Sequence, residues 1–396
     1  MNIYLDSFKE YAHIELTENI LPYWIRLIDV KYGGFYGQVN GREEINKNAS
    51  KGSVITARIL WTFSSAYRLL GNEEYLQAAT HALRFLIDKC YDHVHGGVYW
   101  EVAHDGTPLD TKKQIYALGF AIYGLSEYYR ATDNGEALTY AQKLFHDIEK
   151  HSFDIKKNGY FEAFTCEWGE IKDMRLSAKD INERKTMNTH LHILEPYTNL
   201  YRVWKDEKLQ NQLVNLVELF CQKFYDTETK HCILFFNDDW ESKHRIVSYG
   251  HDIEASWLIH EAVLVLNDPK LLSEITPYVQ HIAEAGDEGY IPNGGMIYEM
   301  NADEQIIDAD RHWWVQAEAI VGYLNIYQHF KTESYLQKAI QTWKFIQENI
   351  IDHKHGEWFW SKKANGESNT ADDKAGFWKC PYHNGRMCME IMQRWE

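Results

Sequence analysis

The chain has 396 residues, and its 58 acidic against 41 basic side chains give a formal charge of −17, the wrong sign for gripping nucleic acid or an anionic membrane surface. No basic region followed by an apolar run opens it, and no apolar run is long enough to cross a bilayer. What remains compatible is an uncharged substrate, and the 14 Trp, 26 Tyr and 17 Phe offer flat faces that suit sugar rings, although most such residues serve a core. The six cysteines at 90, 166, 221, 232, 380 and 388 have neither disulfide nor zinc spacing. Cys380-Pro-Tyr-His383 is half of a metal site without its second half. A reduced, cytoplasmic protein without a metal follows, monomeric or weakly self-associating.

Residues 5–28 open the chain as a helix. Tyr32-Gly-Gly-Phe-Tyr-Gly comes next, and this signature returns as His95-Gly-Gly-Val-Tyr-Trp, Asn158-Gly-Tyr-Phe-Glu, a degenerate Cys232-Ile-Leu-Phe-Phe, Asn293-Gly-Gly-Met-Ile-Tyr and His355-Gly-Glu-Trp-Phe-Trp. Apart from the gaps flanking the degenerate copy, the spacing is about 60 residues, the mark of a repeated structural unit. Each copy is followed by a hairpin return such as Asn40-Gly41, Asp105-Gly106 or Asn365-Gly366. Two amphipathic helical patterns lie between successive hairpins: 53–70 with 75–87, 112–130 with 135–149, 187–204 with 207–225, 250–266 with 270–284, and 310–328 with 333–350. The last copy has only 380–394, and the opening helix supplies its partner. A final helix completed by the first one means a closed ring. The pattern predicts an all-α protein, an (α/α)6 barrel of twelve helices forming a single domain over residues 1–396. The more apolar helix of each pair lies inside, and the short hairpins gather at the end where inner helices begin.

Polar residues interrupt the apolar inner helices near their starts. Arg58 is a cation in an otherwise apolar helix, Tyr116 opens the second, and the third begins Met187-Asn-Thr-His-Leu-His192. Only one of His190 and His192 can face the axis, and Pro196 kinks that helix. The fourth carries His251, Glu254 and Trp257 at helical spacing, and a histidine at a helix N-terminus is biased toward its neutral, basic form. The fifth carries His312-Trp-Trp314 and Glu318, with Trp313 a packing residue. The last brings Trp378 and His383. His81, His146, His260 and His329 fall outside this set as structural or solvent-facing residues. A glycosidase would need two placed carboxylates. Imidazoles beside carboxylates favour instead the movement of a proton at a carbon next to a carbonyl.

Met187-Asn-Thr-His-Leu-His-Ile-Leu-Glu195, Ser248-Tyr-Gly-His-Asp-Ile-Glu-Ala-Ser-Trp257 and Trp378-Lys-Cys-Pro-Tyr-His383 resemble the cellobiose 2-epimerases, a group within the N-acylglucosamine 2-epimerases, along essentially the whole chain. The resemblance implies the (α/α)6 barrel and C2 epimerisation of a β-1,4-linked disaccharide, cellobiose, mannobiose or lactose. It implies His251 and His383 as the two acid–base residues, Glu254 as the group orienting His251, and His192 as a third histidine on the substrate oxygens. Arg58 is then the cation on the enediolate and Glu318 a further carboxylate behind the site. Tyr116, Asn188, Trp257, Trp314 and Trp378 cradle the sugars, and Asp180, in the loop 170–186, contacts the second ring. No metal and no nicotinamide is needed for this route. An aldose–ketose isomerase of monosaccharides is the nearest alternative, a glycoside hydrolase or non-catalytic sugar-binding protein the more distant ones.

Overall fold

The computed structural model describes residues 3–292 and 294–394. Helix α1 (Ile3–Ile14) passes through a π-helical turn, Glu15–Ile20, into α2 (Leu21–Ile25), and together they make one outer helix. Five helical hairpins follow: α3 (Ser53–Leu70) with α4 (Glu73–Phe85), α5 (Ile115–Thr132) with α6 (Gly135–His151), and α7 (Met187–Val203) with α8 (Glu207–Leu219). The fourth and fifth are α9 (Tyr249–Leu266) with α10 (Pro269–Gly286) and α11 (Trp313–Phe330) with α12 (Glu333–Asn349), and α13 (Tyr382–Gln393) comes last. The inner helices α3, α5, α7, α9, α11 and α13 are buried on nearly every side. Each packs on the next, α13 returns to α3, and α1 lies on α13. This is the closed two-layer (α/α)6 barrel expected.

Glycine allows the tightest contact in the ring. A Cβ on Gly119 of α5 would come within 2.1 Å of the His192 carbonyl oxygen. That carbonyl is free because Pro196, four residues on, has no N–H to give it, and the backbone leaves helical geometry at His192 (φ −90°, ψ 16°). The kink therefore falls on a candidate site residue.

A repeated device holds the hairpins at one end. Asp29, Asp92, Asp154, Asp226 and Asp352 each accept two backbone N–H groups from the residues that follow them, which fixes the turn. In four of these units the second carboxylate oxygen meets a buried lysine: Lys51 and Lys113 at 2.7 Å, Lys185 and Lys374 at 2.8 Å. The first three of those lysines stand just before an inner helix, so the ion pair ties the mouth of one unit to the hairpin preceding it. Short antiparallel pairs do the same forward along the ring, Lys51–Gly52 on Glu101–Val102, Lys113–Gln114 on Ala163–Phe164 and Lys185–Thr186 on Phe235–Phe236.

These strands explain where helix boundaries differ from the pattern. Lys113-Gln114 and Arg311-His312 are extended, so α5 and α11 start at Ile115 and Trp313. The outer helices predicted over 75–87 and 207–225 close in π-helical turns, Leu86–Cys90 and Phe220–Phe224. Of the fifth hairpin signature, Asn293 lies outside the described residues, while Gly295–Met296 pairs with Tyr290–Ile291. Among the described residues no helix is long and apolar enough to cross a membrane, and all six cysteines are free.

Candidate active site

Because the inner helices begin at one end, residues at equivalent positions form rings about the axis. Tyr116, Asn188, Trp314 and His383 are the second residues of their helices and His251 the third. One turn deeper, Arg58, His192, Glu254 and Glu318 are sixth residues and Arg386 a fifth. The upper ring combines aromatic, imidazole and amide side chains; the lower one carries the arginines and carboxylates together with His192.

His383 and His251 both pack against the Trp314 ring, with centroids 5.6 and 4.8 Å away. His383 Nδ1 donates to Glu318 Oε1 at 2.7 Å, which leaves Nε2 as its reactive nitrogen. His192 Nδ1 donates to Glu195 Oε2 at 3.0 Å, and its ring meets Tyr116 edge-on at 5.0 Å. His190, two residues away, is spent on structure: it accepts from the Tyr160 N–H and bonds the Thr186 carbonyl.

Two expectations change. Glu254 does not orient His251; Ser248 does, with its Oγ 2.8 Å from His251 Nδ1. The spacing of His251 and Glu254 puts both on one face, but Glu254 lies a turn deeper and gives its carboxylate to Arg386 at 2.8 Å. Trp257 is not a sugar platform. It is 1% exposed, its indole donates to Glu318 Oε2 at 3.0 Å, and the Arg386 guanidinium lies 4.7 Å from its ring.

Arg386, absent from the sequence-based set, joins the floor. It bonds Glu195, Glu254 and Glu318, so one guanidinium holds three carboxylates, two of which serve His192 and His383. Glu254, Glu318 and His383 also have donor atoms within 4.8 Å of one another, and Arg386 stands among them as the cation. One cation cannot neutralise all three acids. Burial and the Glu318 charge push the Glu254 carboxyl well above the usual range. Glu318 goes the other way: burial opposes it, but Arg386 and the His383 contact hold it low. Burial lowers all three histidines, His251 and His383 to about 3, so that each is a neutral base near pH 7.

Arg58 has a different environment. Its Nη2 donates to the Tyr116 hydroxyl at 2.7 Å, and its guanidinium lies 4.1 Å from the Phe120 ring and 4.8 Å from the Tyr382 ring. It is 4% exposed and, among the described residues, has no carboxylate partner. A buried cation without an anion is rare.

Toward solvent the site opens into a cavity of about 120 Å³ bordered by Asp180, Asn188, His251, Tyr298 and Glu299. Asn188 Oδ1 is buried there without a protein partner. Asp180 accepts from the Ser177 N–H at 2.7 Å and shapes the loop that walls this cavity. Trp378 packs on Trp100 and Tyr116, at 5.7 and 6.1 Å.

Residues 34–385 match the sequence family described as N-acylglucosamine 2-epimerase (GlcNAc 2-epimerase). The cellobiose 2-epimerase of Bacteroides fragilis is 61% identical over 98% of this chain and 99% of its own. That of Ruminococcus albus is 41% identical over 96% and 97%. The solved cellobiose 2-epimerase from Bacillus thermoamylovorans superposes with a TM-score of 0.94 at 44% identity, covering 98% of this chain and all of that one. With the barrel and the histidine ring in place, these likenesses give one conclusion: the chain belongs to the N-acylglucosamine 2-epimerase family.

Proposed function

We propose that this chain inverts C2 of the reducing-end sugar of a β-1,4-linked disaccharide, with cellobiose as the first substrate to test. The observation that carries the reading is Arg58, a buried guanidinium with no anion of its own beside two neutral imidazoles that share Trp314. The three carboxylates of the floor are taken up by Arg386, so the Arg58 charge is left for the enediolate made by removing the C2 proton.

The sugar must first open to its aldehyde, because only then is the C2 proton acidic enough to take. His192, backed by Glu195, handles the ring oxygens in that step. One of His251 and His383, neutral, removes the C2 proton and becomes an imidazolium, while Arg58 and the adjacent Tyr116 hydroxyl hold the charge developing on the oxygens. The other histidine, which has taken up a proton from solvent before the C2–H bond breaks, gives that proton to the opposite face, so the two exchange protonation states in each turnover. Trp314 gives the flat sugar face a surface between the two bases. The cavity beside Asp180 and Asn188 supports a second sugar ring bound there. The names borne by the relatives support the same substrate class. Six free cysteines and the absence of a membrane-spanning helix among the described residues support a cytoplasmic setting.

Incubating cellobiose with the protein in D2O and following the reducing end by NMR tests this. Deuterium at C2 together with the manno epimer is the expected result. A ketose as the main product indicates proton delivery to C1 instead, and released glucose overturns the reading.

A further inference from the structure

The internal repeat singles out one residue that the mechanism above does not use. Gly34, Gly97 and Gly159 occupy the same place in their hairpins, five residues after the anchoring aspartate, with φ of 65°, 69° and 84°. In the sixth hairpin that place is taken by Glu357, at φ 60°. Glycine accepts this conformation freely and glutamate does not. In the sibling units there is also no room, since an added Cβ would meet Phe85 at 2.8 Å, Trp168 at 3.0 Å or Trp240 at 2.5 Å. The fourth unit, anchored by Asp226, has His231 at this place but outside the left-handed region, so of these five units the sixth alone combines a side chain with a positive φ.

The side chain is fully used. The Glu357 carboxylate, 0% exposed, accepts from the Trp24 indole at 3.0 Å, from Lys379 Nζ at 2.8 Å and from Asn384 Nδ2 at 2.8 Å. Lys379 and Asn384 are also fully buried, and they bracket His383, one four residues before it and the other directly after. Lys379 Nζ lies 5.4 Å from the Trp313 ring, which in turn faces His383 at 6.5 Å. The Glu357 N–H donates to Asn19 Oδ1 at 2.8 Å, and the next residue's indole, on Trp358, donates to Glu15 Oε1 at 2.7 Å. Helix α13 is the one inner helix whose outer partner comes from the opposite end of the chain. Its place in the ring, and that of His383, is set by contacts rather than by a connecting turn.

We propose that Glu357 is a positioning residue for catalysis: by holding Lys379 and Asn384 it sets the reach of His383 toward the substrate carbon. This rests on the two-histidine reading above. A base on a displaced helix fails in a recognisable way. When the reaction runs from the epimer whose proton His251 removes, deprotonation continues but delivery by His383 is slow, so the intermediate returns to starting sugar carrying solvent hydrogen. From the other epimer, removal itself is slow and little exchange occurs.

The test uses the full chain with cellobiose and, separately, its C2 epimer in D2O. NMR gives the ratio of deuterium in recovered starting sugar to epimer formed. Glu357→Gln is expected to lower kcat roughly 10- to 100-fold, leave KM within about threefold, and raise that ratio severalfold from one epimer only. Asn384→Ala, which keeps the Lys379 ion pair, is expected to show the same asymmetry more weakly and decides the matter where Glu357→Gln does not fold. A lower melting temperature with wild-type kcat and ratio overturns the proposal. His383→Ala separates the two levels of the argument: retained turnover in that variant sinks the two-histidine reading, whereas its loss alongside a normal Glu357→Gln sinks only the role of Glu357.

Discussion

His383 and His251 share a tryptophan, yet they are built differently. His383 has a carboxylate behind it, Glu318 at 2.7 Å, itself bonded to Arg386 at 2.7 Å and to the Trp257 indole at 3.0 Å. His251 has a hydroxyl behind it, Ser248 at 2.8 Å, and its positive form is opposed by both His192 and His383. Burial makes both imidazoles neutral in the empty site. They differ in what awaits a proton once it arrives. An imidazolium on His383 meets an anion held in place, whereas one on His251 is bonded to a hydroxyl and feels Glu318 only as the weakest of the influences on it. In the proposed mechanism the two bases need not be alike, because a substrate that turns negative midway would supply the charge that His251 lacks.

The largest effect that would break this comparison comes from Glu318→Gln. It removes the anion behind His383, and with it one partner of Arg386 and one of Trp257. The expected loss in kcat is about 10²- to 10⁴-fold, with KM changed little, measured by following epimerisation of cellobiose by NMR. A loss of less than tenfold would mean that the carboxylate is not what distinguishes the two histidines.

A smaller effect sharpens the comparison through stability. Burial lowers the folded-state values of both histidines below the ordinary value near 6.5. Between that value and about 3 the unfolded chain binds protons that the folded chain does not, so stability is lost as pH falls through this window and is unaffected above it. His251→Phe removes one such group and leaves no carboxylate stranded. Its stability is expected to fall less steeply between pH 6 and 4, by up to about 1.4 kcal/mol per pH unit for a full proton, as read from urea unfolding at each pH. His383→Phe leaves Glu318 without its imidazole and is expected to be less stable at neutral pH as well. Equal behaviour of the two variants would contradict the difference drawn above.

Much of this was legible in the chain. The glycine–aromatic signature and the missing last partner imply a closed ring, because each two-helix unit exposes an apolar face that only a neighbour can cover. Pro196 marks the bend at His192, since a missing N–H has one consequence wherever it falls in a helix. Arg58 stood out as a charge in an apolar helix. Arg386 has the same signature on α13, three residues from His383 and on the same face, yet the histidine beside it is the more conspicuous residue in the sequence. What periodicity does not carry is depth and partner choice. It puts His251 and Glu254 on one side of α9 without saying that Glu254 reaches the axial arginine first. It marks Trp257 as aromatic and inward without saying that its indole is already spoken for. The buried lysines before the inner helices were equally hidden, because a lysine next to a helix start ordinarily points to water and only the aspartate of the preceding hairpin brings it inside.

Ser248→Ala is the smallest change and the finest probe. The Ser248 side chain does not cap α9, whose first residue it precedes; it is given to His251 instead. Removing it frees the ring to turn about its χ2 axis without leaving a buried charge behind, so the loss is that of one neutral hydrogen bond, about 1 kcal/mol. That corresponds to a drop of roughly fivefold in kcat/KM, well below the Glu318→Gln effect, with the fold unaffected. Its direction dependence carries the information. If Ser248 only aims the ring, both epimers lose activity equally, since each turnover uses His251 once as acid or as base. If the hydroxyl also stabilises the positive ring, kcat falls more from the epimer whose proton His251 removes first, while kcat/KM falls equally from both because the equilibrium constant fixes its ratio. Rates at saturating concentrations of each epimer, compared for Ser248→Ala and the parent chain, separate aiming from charge stabilisation.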